Sequence, residues 1–265
     1  MGILKKGAPW ECEFREVWKQ EQKFLRRYET KTETILERKI TELAPEKLMG
    51  TLHYAFEKAF GVVFEKGTDA ILRVSRQAEH RETYQIQEYA LNLGEDRKRL
   101  RAFSKTADKA GRGNVVLSGA AGIGMGLFGV ALPDVPLFTA MLLKGIYETA
   151  ESFGFSCETE EERIYVLRLI EAALSDGEDL LERNRILDSF VQEPGWPEGI
   201  TLKKQLSATA RKVSETVLYG KALQGVPVVG AIGGAGDAVC LSRVQRYAAI
   251  KYRKRFLIRR RIAVQ

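Results

Sequence analysis

The chain is poor in the residue types that most often announce chemistry. Its 265 residues hold three cysteines and two histidines. Cys12, Cys157 and Cys240 have no short pairwise spacing, so they form neither a zinc motif nor a disulfide framework, and a reducing compartment is expected. His53 stands beside Tyr54 and Phe56, where a packed or surface role is the simpler reading, and His80 sits in the charged stretch "RQAEHRE". The sequence has no H-E-x-x-H, no G-x-S-x-G and no cluster of metal ligands, so no metal and no cofactor is expected. Strand signals are scarce as well: no Asn-Gly or Asp-Gly turn separates two alternating runs. The opening "MGILKKGAPWECEFREVW" is charged and aromatic almost from its start and carries no signal-peptide pattern; Lys6 stands where myristoylation wants Ser or Thr.

What is present is helical periodicity. Trp10, Phe14, Val17, Trp18, Leu25 and Tyr28 recur at helical steps with charged residues between them, which predicts an amphipathic helix running to Leu43 before Pro45 stops it. Leu48, Leu52, Ala55, Phe56, Ala59, Phe60 and Val63 predict a second helix that ends near Gly61 to Gly67. Ile71 to Tyr89 keeps helical spacing, and "GEDRKRLRAFSKTADKAGRG" reads as a helix with a glycine stop or as a functional loop. Further on, "EEERIYVLRLIEAAL" predicts a helix over 160–174 with Thr159 as its N-cap and acids at its positive end. "EPGWPEG", Glu193 to Gly199, is the clearest loop. With 45% hydrophobic and 29% charged residues the chain has ordinary globular composition, and the expected class is all-α.

The stretch "VVLSGAAGIGMGLFGVALPDVPLF", Val115 to Phe138, is ambiguous on its face. Gly124, Gly126 and Gly129 satisfy G-x-G-x-x-G, yet no second strand with an acid follows, and no Lys-Ser/Thr end makes a P-loop. Nucleotide binding is therefore disfavoured. The glycines work instead as small residues: Gly119, Gly122, Gly126 and Gly129 repeat at three- and four-residue steps, leaving one smooth helix face for close approach. Leu132 and Pro133 end this arm, and Asp134 is the only charged residue between Val115 and Leu143. A second run of this character, "ALQGVPVVGAIGGAGDAVCL", spans Ala222 to Leu241 with Asp237 as its only charge. Either acid would cost roughly 2.5–3.5 kcal/mol at the centre of a membrane helix, so a hairpin buried in protein or dipped into one leaflet fits better than a span. Asp134 and Asp237 could form a buried carboxylate pair with one raised pKa, or each could cap the helix that follows it, with Pro136 suited to a first turn.

Forty-two Lys and Arg against thirty-five acids give a net charge of +7, which favours an anionic partner. Much of the excess lies in the tail "KYRKRFLIRRR", where Lys251, Arg253, Lys254, Arg255, Arg259, Arg260 and Arg261 are interleaved with Tyr252, Phe256, Leu257 and Ile258. Such a segment either lies on an anionic membrane or is a helix whose aromatic side docks on the core. No helix-turn-helix or RNP signature accompanies it, so specific nucleic-acid recognition is not expected.

A glycine-rich apolar run followed by "LPDVP", "AMLLKGIYETAESFGFS", "EEERIYVLRLI" and a late "VPVVGAIGGAGDA" before a basic tail resembles the EcsC family of bacterial proteins over roughly Gly111 to Arg255. The opening "WECEFREVW" resembles the family's usual start. The matching positions are Gly122, Asp134, Pro136, Gly154, Arg163, Pro227 and Gly230. The family is named for a gene neighbour of a bacterial ABC transporter, so the resemblance implies a helical fold and a membrane-related context, and no reaction. The expected architecture is one multi-helical domain, with an amphipathic region over 1–110 and a core over 111–265 built around a glycine-rich apolar helical hairpin. The expected function is reversible association with the inner face of the cell membrane. In that reading Gly122, Gly126, Gly129, Leu132, Pro133 and Pro136 contact acyl chains or a membrane protein, while the seven tail bases hold anionic phospholipid. A soluble hydrolase using Asp134 and Asp237 is the alternative, and a scaffold for a transporter subunit is a second one.

Overall fold

The computed structural model describes residues 9–30, 46–66, 101, 134–223 and 235–264. Among these residues seven α-helices and no strand occur: α1 (Pro9–Glu29), α2 (Glu46–Lys66), α3 (Asp134–Ser152), α4 (Glu160–Leu174), α5 (Gly177–Gln192), α6 (Leu202–Leu223) and α7 (Ala235–Val264). The all-α class read from the periodicity is what the chain adopts. α1 begins on a proline, whose missing N–H is one the first turn cannot pair in any case. It ends at Glu29, short of the expected Leu43, where Thr30 turns; a β-branched residue loses side-chain freedom in a helix and so favours leaving it. Residues 31–45 and the expected helix over Ile71 to Tyr89 lie outside the described residues, as does the charged segment ending at Gly113 apart from Arg101.

The core is organised around α4. Ile164, Tyr165, Val166, Leu167, Leu169, Ile170, Ala172, Ala173 and Leu174 are all buried, so this helix is covered on every side. α6 and α7 pack on it, α5 follows it antiparallel, and α2 joins from across α6. Thr159 caps α4 as expected, its hydroxyl accepting from the Glu162 amide at 3.2 Å. The Asp176–Gly177 pair that follows links two helices and not two strands, with Gly177 at φ +59.

α3 ends in a close turn that only glycine accommodates well. The Gly154 N–H donates to the Glu151 carbonyl at 2.8 Å and the Phe155 N–H to the Ala150 carbonyl at 2.9 Å, with Gly154 at φ +73. That pair of bonds satisfies the last carbonyls of the helix. The loop after α5 is held down at Trp196, which stacks on Phe190 with ring centroids 4.3 Å apart and donates its indole N–H to the Glu161 carbonyl at 3.1 Å.

α3 and α7 are parallel neighbours. The Gln245 amide donates to the Leu142 carbonyl at 3.1 Å, and Phe153 meets Phe256 with ring centroids 5.9 Å apart, so the same eleven-residue step separates the contacts on both helices. Stepping back eight residues from Leu142 and from Gln245 reaches Asp134 and Asp237, in the first turns of the two helices. α1 runs the other way along α7: Trp10 donates to the Leu257 carbonyl at 2.6 Å, whereas Phe24 meets Tyr247 at 4.8 Å between centroids.

Candidate functional site

Among the described residues, the most concentrated polar chemistry lies in the interior, along the second half of α7. Lys251 is almost wholly buried, and its ammonium donates to Glu21 Oε1 at 2.8 Å, Asn184 Oδ1 at 2.8 Å and Asp188 Oδ1 at 2.7 Å. One turn on, Lys254 Nζ bonds the other oxygen of Glu21 at 2.6 Å and shares Asp188 Oδ1 at 2.9 Å. Arg253 points to a different side of the helix and donates to Glu13 Oε2 at 2.6 Å; both side chains are buried. Arg255 forms a two-pronged bond to Glu162, at 2.7 and 2.9 Å. The Arg255 guanidinium also lies over the rings of Phe155 and Tyr165, 4.3 and 4.1 Å from their centroids. Four bases from α7 thus face four acids from α1, α4 and α5, and the set carries no net charge.

This arrangement overturns one expectation. Lys251, Arg253, Lys254 and Arg255 do not face anionic head groups, because each is paired to a carboxylate inside the fold. The docked-helix reading of the tail holds for these four. Arg259 donates to the Gly154 and Phe153 carbonyls, both at 3.0 Å, where a cation complements the end of α3, and it remains exposed. Arg260 is half-buried, and Arg261 is exposed with its guanidinium 4.5 Å over the Trp10 ring.

The interior groups are locked and not activated. Burial opposes the charge of Lys251, but Glu21 and Asp188 outweigh it and raise the ammonium above its usual range. Burial likewise resists ionisation of Asp188, yet Lys251 and Lys254 hold its carboxyl below the ordinary range. Burial pushes the Cys157 thiol and the Tyr147, Tyr165, Tyr247 and Tyr252 phenols up. Glu162 adds to the shift at Tyr252, whose hydroxyl donates to it at 2.7 Å. None of these groups is poised as a nucleophile near neutral pH.

His53 Nε2 stands 3.1 Å from the Ser207 carbonyl, 3.2 Å from Ser207 Oγ and 3.5 Å from Glu57, and the Ser207 hydroxyl donates to Glu57 at 3.3 Å. All three partners gather at one ring nitrogen, whereas a catalytic triad needs its acid on the other. The cluster clasps α2 to α6. Among the described residues no three His, Cys, Asp or Glu side chains gather as metal ligands, and no helix is long and apolar enough to cross a membrane.

Of the other residues singled out by sequence, Gly122, Gly126, Gly129, Leu132, Pro133, Pro227, Gly230 and His80 lie outside the described residues. Asp134 and Pro136 fall in the first turn of α3 and Asp237 in the first turn of α7, while their side chains lie outside the description. Gly154 is the glycine of the turn after α3, and Arg163 lies over the Phe64 ring at 5.9 Å, joining α4 to α2. The acids of the interior network, Glu13, Glu21, Glu162 and Asp188, were not legible as interior residues. Their one signal is spacing: Glu13 and Glu21 share a helical stripe with the buried Val17 and Phe24.

The EcsC protein family matches residues 11–257, from the first turns of α1 to the last turns of α7. The chain belongs to the EcsC family. The match begins and ends on the two helices that the Glu13–Arg253 pair joins, so the EcsC match takes in α1 as well as the glycine-rich half. No curated protein and no solved structure matches this EcsC chain.

Proposed function

We propose that this EcsC-family protein is a peripheral membrane protein that docks reversibly on the cytoplasmic face of the cell membrane, meeting anionic phospholipid or a membrane transporter. The observation that supports the reading is the parallel register of α3 and α7. The two glycine-rich apolar runs, Val115 to Phe138 and Ala222 to Leu241, continue into α3 and α7, whose first turns stand at the same end of the body. Apolar runs that enter two helices opening at one level suit an element that presses into one leaflet. Charge supports it too: the interior set of four bases and four acids is neutral, so the whole excess of +7 belongs to the rest of the chain.

Flotation of the full chain with neutral and anionic liposomes, at low and high salt, tests this. Binding that requires anionic lipid and partly survives salt is the expected result. No flotation under any condition overturns the lipid reading, and flotation only with native membranes moves the contact to a protein partner.

The same register favours a second reading, a hydrolase in which Asp134 and Asp237 act together. They open two helices at one level, where a shared proton between carboxylates would give an acid and a base. Asp134→Asn and Asp237→Asn would each abolish turnover of a responsive substrate while leaving the melting temperature unchanged; loss of neither overturns it.

A further inference from the structure

We propose that the outward face of α1 is the surface that meets anionic phospholipid; the inference rests on the membrane reading above and gives it a location. α1 carries five acids, Glu11, Glu13, Glu16, Glu21 and Glu29, and five bases, Arg15, Lys19, Lys23, Arg26 and Arg27. By composition the helix is neutral. Folding sorts it: Glu13 and Glu21 turn inward onto Arg253, Lys251 and Lys254, whereas all five bases are exposed. Between Arg15 and Arg27 every exposed residue is a base, except Trp18, which is 48% exposed. The acids left on the outer side are Glu11 and Glu29 at the two ends and the half-buried Glu16.

The spacing places this charge on one surface. Arg15, Lys19, Lys23 and Arg26 follow at four-, four- and three-residue steps, with Trp18 one step aside at the edge of the stripe. Among the described residues none of the four has an ion-pair partner within 4.0 Å. A straight row of free cations over about three turns fits a flat sheet of negative head groups, and an exposed indole beside it suits the membrane interface. The position also fits. The exposed end of α7 at Arg259 to Ile262 and its first turn at Asp237 stand roughly 33 Å apart at 1.5 Å per residue, so one flat surface reaching both must run along α7. α1 lies lengthwise on that helix.

Indole geometry supplies a readout. The Trp10 indole is bonded to the Leu257 carbonyl, and Trp196 is stacked on Phe190 and bonded to Glu161, leaving Trp18 as the exposed tryptophan among the described residues. The full chain is titrated with vesicles of phosphatidylcholine alone and of phosphatidylcholine with phosphatidylglycerol, reading flotation and tryptophan emission. A variant with Arg15→Gln, Lys19→Gln, Lys23→Gln and Arg26→Gln is compared with a control that removes four exposed bases elsewhere, Lys58→Gln, Arg185→Gln, Lys203→Gln and Arg211→Gln. Each base at an anionic surface is worth about fivefold in partitioning, so the α1 variant loses at least about a hundredfold while keeping its helical circular dichroism and the control stays near wild type. A blue shift on binding that disappears in Trp18→Phe is also expected.

If wild type floats with anionic vesicles and the α1 variant floats equally well, this location is wrong and the membrane reading stands. If wild type ignores anionic vesicles, this location and the lipid half of the membrane reading both fail. If wild type prefers duplex DNA to anionic vesicles at matched salt and the α1 variant loses that binding, the face reads nucleic acid and the lipid assignment is overturned.

Discussion

Arg253 donates to Glu13 at 2.6 Å, both side chains buried, joining residues 240 positions apart. The pair fastens the first described helix to the last. In a buried pair the loss of either partner leaves an uncompensated charge, whereas loss of both leaves a cavity that apolar atoms can fill. Glu13→Leu and Arg253→Met should therefore each destabilise the fold by about 3–5 kcal/mol, and the double variant Glu13→Leu/Arg253→Met should recover most of it. Urea melts of the four proteins check this; additive losses would mean that the pair contributes nothing as a pair.

The Asp188, Lys251 and Lys254 cluster sets a pH window. Asp188 is held below its ordinary range, so its contribution is present above the unfolded value of about 4 and is lost as pH falls through the lower folded value. Lys251 is raised, so its contribution is present below about 10.4 and is lost as pH rises through the higher folded value. Stability is expected to be flat between these limits with respect to the cluster. In Lys251→Met/Asp188→Asn the acid and alkaline limbs should both be shallower, as read from thermal melts across pH.

The side-chain amide of Gln245 on α7 lies against Gly145 of α3. A Cβ there would lie 2.2 Å from the Gln245 amide nitrogen, which holds the Leu142 carbonyl. Alanine gains about 1 kcal/mol in helix propensity, but displacing a buried amide from its bond costs about 1–3 kcal/mol. Gly145→Ala should be neutral to destabilising by up to about 2 kcal/mol, and combining it with Gln245→Ala should reverse the loss by freeing the space. Denaturant midpoints distinguish the two.

Thiol chemistry should separate the cysteines. Cys157 is buried with its thiol pushed up by burial and then by Glu162 and Glu151, and Cys240 is buried, while Cys12 is partly exposed. A thiol reagent is expected to modify Cys12 in the folded protein and all three in urea. Rapid native modification of Cys157 would show that the end of α3 opens readily.

Helix existence was legible in the sequence because it depends on local spacing. The period of Leu48 to Val63, the acids and Thr159 before α4, and the Gly-Pro loop at Glu193 to Gly199 each act within a few residues, and each stands where it was expected. The order of motifs also carried the family. Where the tail went was not legible: "KYRKRFLIRRR" has the same residues on a membrane or in a core, and the choice falls to acids more than 60 positions away.

The sequence by itself determined an all-helical body of the EcsC family, with two glycine-rich runs and an excess of seven positive charges. Only the tertiary structure decided which charges are spent inside. Helical period tells which residues share a face, but a face of acids and apolar residues is buried or solvated according to what packs against it. On α1 the partner is a row of bases on α7, so Glu13 and Glu21 go in, and a helix that is neutral in composition turns a basic side outward.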